Sequence, residues 1–368
     1  MVAPGMSNAT AAKAARTSFS IPSLDGIRAC SFMLVFLAHV GVPGIPGGFG
    51  VTVFFFLSGY LITTLLRREA EATQRIDLKL FYLRRALRIL PPFYLVLSLA
   101  LALTMLGLLP GPFSTAGLLA QALHYSNFYV IAHGWDGLLA GTGVYWSLAV
   151  EEHFYLIFPA LFGLMSKRRL AGKTQHTLLL GACLVVLAWR CWIVFGQGVV
   201  GDRTYIGSDT RFDSMLFGCA LAVWGNPAID VAPTERPSSL ELLAAAGGGV
   251  LLLASFLLRE QTFRESIRYS MQGLGLYPLF FLSIRHPTWS LMRFLNLRAV
   301  RYVGTLSYSL YLVHQVVLHI AWKLPAPDVV RAAVTLGVSL LLAVLSFRYV
   351  EKPFAKLRSR FSAVAHQT

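Results

Sequence analysis

Apolar stretches recur along the whole 368-residue chain, at about 27–43, 47–66, 89–109, 116–131, 146–165, 177–195, 212–224, 239–258, 269–284, 302–322 and 329–350. As helices, most of these runs match the hydrocarbon thickness of a bilayer. The pattern predicts an all-α polytopic integral membrane protein. The polar intervals test the number of crossings. Arg67, Arg68, Arg75, Lys79, Arg84, Arg85 and Arg88 fill the first long interval, and Lys167, Arg168, Arg169 and Lys173 fill 166–176. Both intervals are expected on the cytoplasmic side. An even number of crossings must separate them, yet three apolar segments lie between. The weakest is 116–131, which holds Gln121, His124, Ser126 and Asn127. It is predicted to be a re-entrant or surface helix on the outer side. About ten transmembrane helices remain, with the N- and C-termini cytoplasmic. Residues 1–23 read as a disordered cytoplasmic tail, 24–355 as the transmembrane domain, and 356–368 as a basic cytoplasmic tail.

Composition supports this. Hydrophobic residues make up 56% and charged residues only 13%, about half the charge of a soluble domain. Mean hydropathy is +0.62. A net charge of +15 raises the question of nucleic acid. The basic residues sit in short loops between spans, however, and retention of such loops on one side gives that balance by itself. No nucleic-acid partner is expected. Cys30, Cys183, Cys191 and Cys219 all fall in apolar segments without a CxxC pair. Reduced buried thiols and no metal site are therefore expected.

What changes the picture is the polar residues inside the spans. In "RACSFMLVFLAHV", Arg28 and His39 stand eleven positions apart, on one helical face and separated by roughly 16 Å. This predicts one charge near a membrane surface and one titratable group well inside, in the outer half of the first span. "YWSLAVEEHFYLIFP" adds Trp146, Ser147, Glu151 and Glu152; "RFDSMLFG" adds Arg211 and Asp213; Arg190 and His314 reach a similar level. An ionisable group within a span costs roughly 2.5–3.5 kcal/mol even on a lenient scale, so a cluster at one depth predicts a site. His39 is the candidate general base, since imidazole titrates near neutrality. Glu151 is the candidate catalytic partner that fixes its tautomer. Trp146, Ser147 and Arg211 are candidate oxyanion donors, and Arg28, Glu152, Asp213 and His314 are candidate substrate contacts. Beside this stands a structural reading, in which Arg211 and Asp213 pair and Glu152 faces water. A second constellation, Arg84, Arg85 and Arg88 in "FYLRRALRILPPFY", suits a phosphate clamp of the kind coenzyme A would need. It would equally serve as an ordinary positive-inside cluster.

These stretches, with "LDGIRACSFMLVFLAH", "GGFGVTVFFFLSGYLIT", "LSYSLYLVH" and "YVEKPF" in order, resemble the acyltransferase 3 family of integral-membrane O-acyltransferases over about residues 24–355. The family's arginine-ten-residues-histidine pattern falls on Arg28 and His39, its Arg-x-x-Arg on Arg85 and Arg88, and its Arg-x-Asp on Arg211 and Asp213. Thr52 departs from the acidic residue common in relatives. The resemblance implies transfer of an acyl group, acetyl first among them, from cytoplasmic acyl-CoA to a hydroxyl of a sugar or glycoside, in a bacterial inner membrane. It does not choose the acceptor. The alternative from another class is a proton-coupled secondary transporter using the same His, Arg and Glu. That reading predicts internal symmetry between halves, which the sequence lacks.

Overall fold

A computed structural model describes residues 21–361, and the chain it describes is helical throughout, apart from one isolated bridge between Phe113 and Gly137. Ten of its helices have at least 16 residues: α1 (Pro22–His39), α2 (Gly47–Thr73), α3 (Leu78–Met105), α6 (Tyr145–Lys167), α7 (Gly172–Cys191), α9 (Ser208–Val223), α10 (Ser239–Leu257), α12 (Arg268–Arg285), α14 (Arg298–Ala321) and α15 (Asp328–Ser346). Short helices join them: α4 (Thr115–Ala122), α5 (Ser126–His133), α8 (Asp202–Tyr205), α11 (Gln261–Glu265), α13 (Ser290–Arg293) and α16 (Lys352–Ser359). Six helices are long and apolar enough to cross a membrane: α2, α3, α6, α7 with its π-helical extension, α10, and α15 continuing into α16. The chain is an integral membrane protein. The other four long helices, α1, α9, α12 and α14, carry Arg28 and His39, Arg211 and Asp213, Gln272, and His314. Polar groups are not confined to these four, since α3 carries Arg85 and Arg88, α6 carries Glu151 and Glu152, and α7 carries Arg190.

The 116–131 segment is two helices rather than one. Its break is at His124, whose φ of 58° places it in the left-handed region. The expected tail 1–23 lies outside the described residues except for its last three, where α1 has already begun at Pro22. The expected basic tail from 356 begins inside α16, and 362–368 lie outside the described residues.

The bundle is centred on α2 and α9. Nearly all of α9 is buried, and it packs between α2 and α7, while α1 packs between α2 and α14. Small residues set these distances. A methyl group on Gly59 would overlap the carbonyl of Met215, and one on Gly218 would overlap that of Phe56. The α2–α9 crossing therefore brings backbone against backbone, as membrane helices do through glycine. Where helix ends need partners they have them. Asp77 caps α3 by accepting from Leu80 N–H at 2.9 Å, and Ser238 and Glu241 form a reciprocal capping box on α10.

Candidate active site

A cavity of about 140 Å³ lies where α1 ends and α2 and α6 begin. His39, Trp146, Tyr205 and Tyr311 supply its aromatic and polar wall, and Gly47 and Gly48 also line it. His39 is the last residue of α1 and is exposed. Its place at the helix end matches its position near the end of the apolar run. Its Nδ1 lies 2.8 Å from Nε2 of His314, with the two rings stacked at 5.1 Å. Nε2 of His39 is left without a partner among the described residues. Ser147 Oγ and Tyr311 OH sit 2.6 Å apart, and both face the carbonyl of Val144. The N-terminal end of α6, which carries the positive pole of the helix dipole, borders the cavity through Val144 and Trp146.

Arg211 lies one layer behind. It is fully buried, donates from Nη1 to the Tyr205 carbonyl at 2.8 Å and from Nη2 to Thr52 Oγ1 at 3.1 Å, and stacks 4.0 Å over the Tyr269 ring. Thr52 thus occupies the position from which an acidic residue would pair with this charge. Asp213 does not pair with Arg211. It accepts from Arg190 at 2.9 Å, from Ser270 at 2.6 Å and from its neighbour's backbone N–H, all fully enclosed. Arg190 also donates to the carbonyls of Thr210 and Ser266. This network is satisfied on every side and holds α7, α9 and α12 together.

Glu151 is likewise not beside His39. Its carboxylate accepts from Ser58 at 2.9 Å and from Tyr155 at 3.1 Å. Trp146 and Glu151 are five residues apart on α6, so Glu151 lies roughly 8 Å along the helix from the cavity wall. It belongs to a second cluster. The Arg85 guanidinium lies 3.4 Å over the Tyr155 ring, and Arg28 is close enough to act on Tyr155, Arg85 and Glu151 while pairing with Asp25 at 3.3 Å. Arg88 is flanked by Arg28, Arg85 and Arg358. Glu351 joins through Ser309 at 2.6 Å. Glu152 has no hydrogen-bond partner among the described residues, with Arg85 and Glu151 as its charged neighbours. Arg84 stands apart, paired with Glu69 and bonded to the Phe361 carbonyl.

The structure therefore separates the expected residues into two groups. His39 and Trp146 line the cavity, with His314 behind His39 and Ser147 bonded to the cavity-lining Tyr311. Arg28, Arg85, Arg88, Glu151 and Glu152 gather further along the bundle. Tyr311 and Ser147 lie between, with Glu151 in electrostatic reach of Tyr311. Sequence reasoning missed Tyr205, Tyr311, Ser58 and Arg358. Tyr311, one helical turn before His314, was legible by spacing. Tyr205, on a four-residue helix, was not. Among the described residues no group of three or more His, Cys, Asp or Glu side chains is arranged to hold a metal ion.

Comparison with known proteins identifies the family. The model of the acyltransferase domain of the acyltransferase 3 family matches residues 21–348. The chain is 31% identical over 354 residues to the peptidoglycan O-acetyltransferase OatA of Listeria monocytogenes, covering 91% of this chain and 56% of that protein. It is 30% identical over 355 residues to the O-acetyltransferase OatA of Staphylococcus aureus, covering 91% and 57%. The chain thus spans little more than half the length of these relatives. No solved structure matches it. With its match running through almost every helix that builds the cavity and the arginine cluster, the chain belongs to the acyltransferase 3 family.

Proposed function

We propose that the protein is a membrane O-acyltransferase of the bacterial inner membrane. It moves an acetyl group from a cytoplasmic acyl-CoA to a hydroxyl of a cell-wall glycan. The names of the relatives support an acetyl group and a wall polymer, and family membership supports transfer over the transporter alternative. The observation that carries the reading is His39. It is an exposed imidazole at a cavity, with one nitrogen engaged and the other free.

In the reaction the acceptor hydroxyl attacks the thioester carbonyl, and its proton passes to His39 Nε2. A C–O bond forms, the C–S bond breaks, and the proton then goes from the imidazolium to the departing thiolate. Developing negative charge on the carbonyl oxygen faces the positive end of α6, which borders the cavity beside Tyr311. Arg28, Arg85, Arg88 and Arg358 hold the phosphates of coenzyme A, because Arg85 and Arg88 have no ion-pair partner at contact distance among the described residues and are free to take one. The pantetheine arm runs between the clusters along α6 and α14, past Tyr311 and Ser147.

The test is mass spectrometry of wall glycan fragments from cells with and without the gene. An acetyl group missing without the gene, restored by the wild type and not by His39→Ala or His39→Asn, is the expected result. Unchanged glycans would remove the acceptor, and full restoration by His39→Ala would remove the base.

A further inference from the structure

His314 was expected at the substrate, yet it has no exposed surface and does not line the cavity. Its ring is enclosed by Phe32, edge-on at 5.7 Å, by Tyr311 at 5.8 Å and by His39. Among the described residues its hydrogen-bond partners are His39 and two carbonyls of its own helix. Nδ1 lies 2.8 Å from the Tyr311 oxygen and 3.2 Å from the Leu310 oxygen. A carbonyl can only accept, so Nδ1 of His314 must carry the hydrogen. In a neutral imidazole Nε2 is then a bare acceptor. The contact at 2.8 Å therefore requires His39 to donate from Nδ1, which leaves the lone pair of His39 on Nε2. The tautomer is thus set in two steps, starting from a backbone oxygen that cannot change its role.

We propose that His314 is a positioning residue, which holds His39 in the Nδ1-protonated tautomer so that Nε2 takes the acceptor's proton. This rests on His39 being the base. It assigns to His314 the orienting work that sequence reasoning gave to Glu151. A neutral orienter suits the place. The ring is fully buried beside Phe32 and Tyr311, where an unpaired carboxylate would be costly to bury. An imidazole fixes the ring without adding charge, as outer partners of functional histidines commonly do through their second nitrogen.

Glutamine at 314 can place its side-chain oxygen where Nε2 stands and still accept from His39. Methionine fills similar volume and offers no comparable acceptor. The experiment compares His314→Gln, His314→Met and His314→Ala in purified, monodisperse protein, measuring kcat and both KM values with acetyl-CoA and an oligosaccharide acceptor. Histidine ¹⁵N spectra of the wild type report the His39 tautomer. We expect His314→Met and His314→Ala to lose about 10- to 10³-fold in kcat, a part of what a general base supplies. Both KM values should stay within about twofold, and His314→Gln should recover most of the loss. Wild-type spectra should show His39 protonated on Nδ1. Wild-type kcat in folded His314→Met, a His314→Gln as impaired as His314→Met, or a wild-type His39 protonated on Nε2 would each overturn the proposal. An inactive His39→Ala beside a fully active His314→Met removes only the role of His314, whereas an active His39→Ala removes the base itself. Should His314→Ala fail to fold, the Gln–Met comparison and the wild-type spectra decide the question.

Discussion

Asp213 and Arg190 meet at 2.9 Å with neither side chain exposed. Removing one partner of such a pair leaves a buried charge with no counterion, at a cost of about 3–5 kcal/mol. Asp213→Ala should therefore lower the thermal transition of the purified protein sharply and cut the folded yield. Arg190→Met with Asp213→Leu should recover much of it. Equal stability of Asp213→Ala and wild type, read by fluorescence-detected size exclusion after heating, would contradict the geometry. The pair also shows where residue-level reading stops. Arg211 and Asp213 lie two apart in "RFDSM", and spacing suggested that they share a site or pair with each other. They instead take different partners, Arg211 an aromatic cage that includes Tyr269 of α12, and Asp213 the charge of Arg190 on α7 with Ser270 of α12. The place of His39 at the end of the first apolar run was legible, although a histidine there serves equally as an interhelical contact. Its partner was not, since His314 lies 275 positions away and only packing brings it there.

At the scale of elements, most of the long helices were legible from apolar runs, and their ends from charge. The break at His124 was not, because a left-handed residue there leaves no mark in hydropathy. Nor was the tight α2–α9 crossing. "LSGYL" and "LFGCA" look alike in composition to many membrane segments, and only contact reveals that Gly59 and Gly218 each lie against the other helix's backbone. Two glycine substitutions separate the roles. Gly59→Ala must push α2 from α9, and overpacking of this kind costs about 1–3 kcal/mol. Gly181 on α7 has nothing within 4 Å of an added methyl group, so Gly181→Ala should be neutral or gain up to about 1 kcal/mol from helix propensity. Thermal transitions of the two variants check this. A Gly59→Ala as stable as Gly181→Ala would mean the crossing is looser than described.

Across the whole molecule, the two clusters imply a direction. If the cytoplasmic face holds the basic loops, reporters fused after Ser166 or Arg358 should read cytoplasm, and one placed within 134–143 should read outside. A cytoplasmic signal from 134–143 would put the His39 cavity on the same side as the arginines and remove the need for a channel. Given that topology, donor phosphates remain at the cytoplasmic end while the thioester reaches His39 near the outer end. Arg28 and His39, on one helix roughly 16 Å apart, mark the two ends of that path. Binding and transfer should then separate by mutation. Arg85→Ala and Arg88→Ala remove guanidinium groups that have no ion-pair partner at contact distance among the described residues. Each should weaken acyl-CoA binding about tenfold or more. The gap from wild type should narrow at high salt, because screening weakens the intact clamp most. His39→Ala should bind acyl-CoA almost normally and fail to transfer. Arg84→Ala should affect binding far less than either, since Arg84 is already held by Glu69. Titration of acyl-CoA into the four variants in nanodiscs measures all of this at once. Undiminished binding by Arg85→Ala and Arg88→Ala would return those arginines to the role of topology signals, and the donor would have to enter elsewhere.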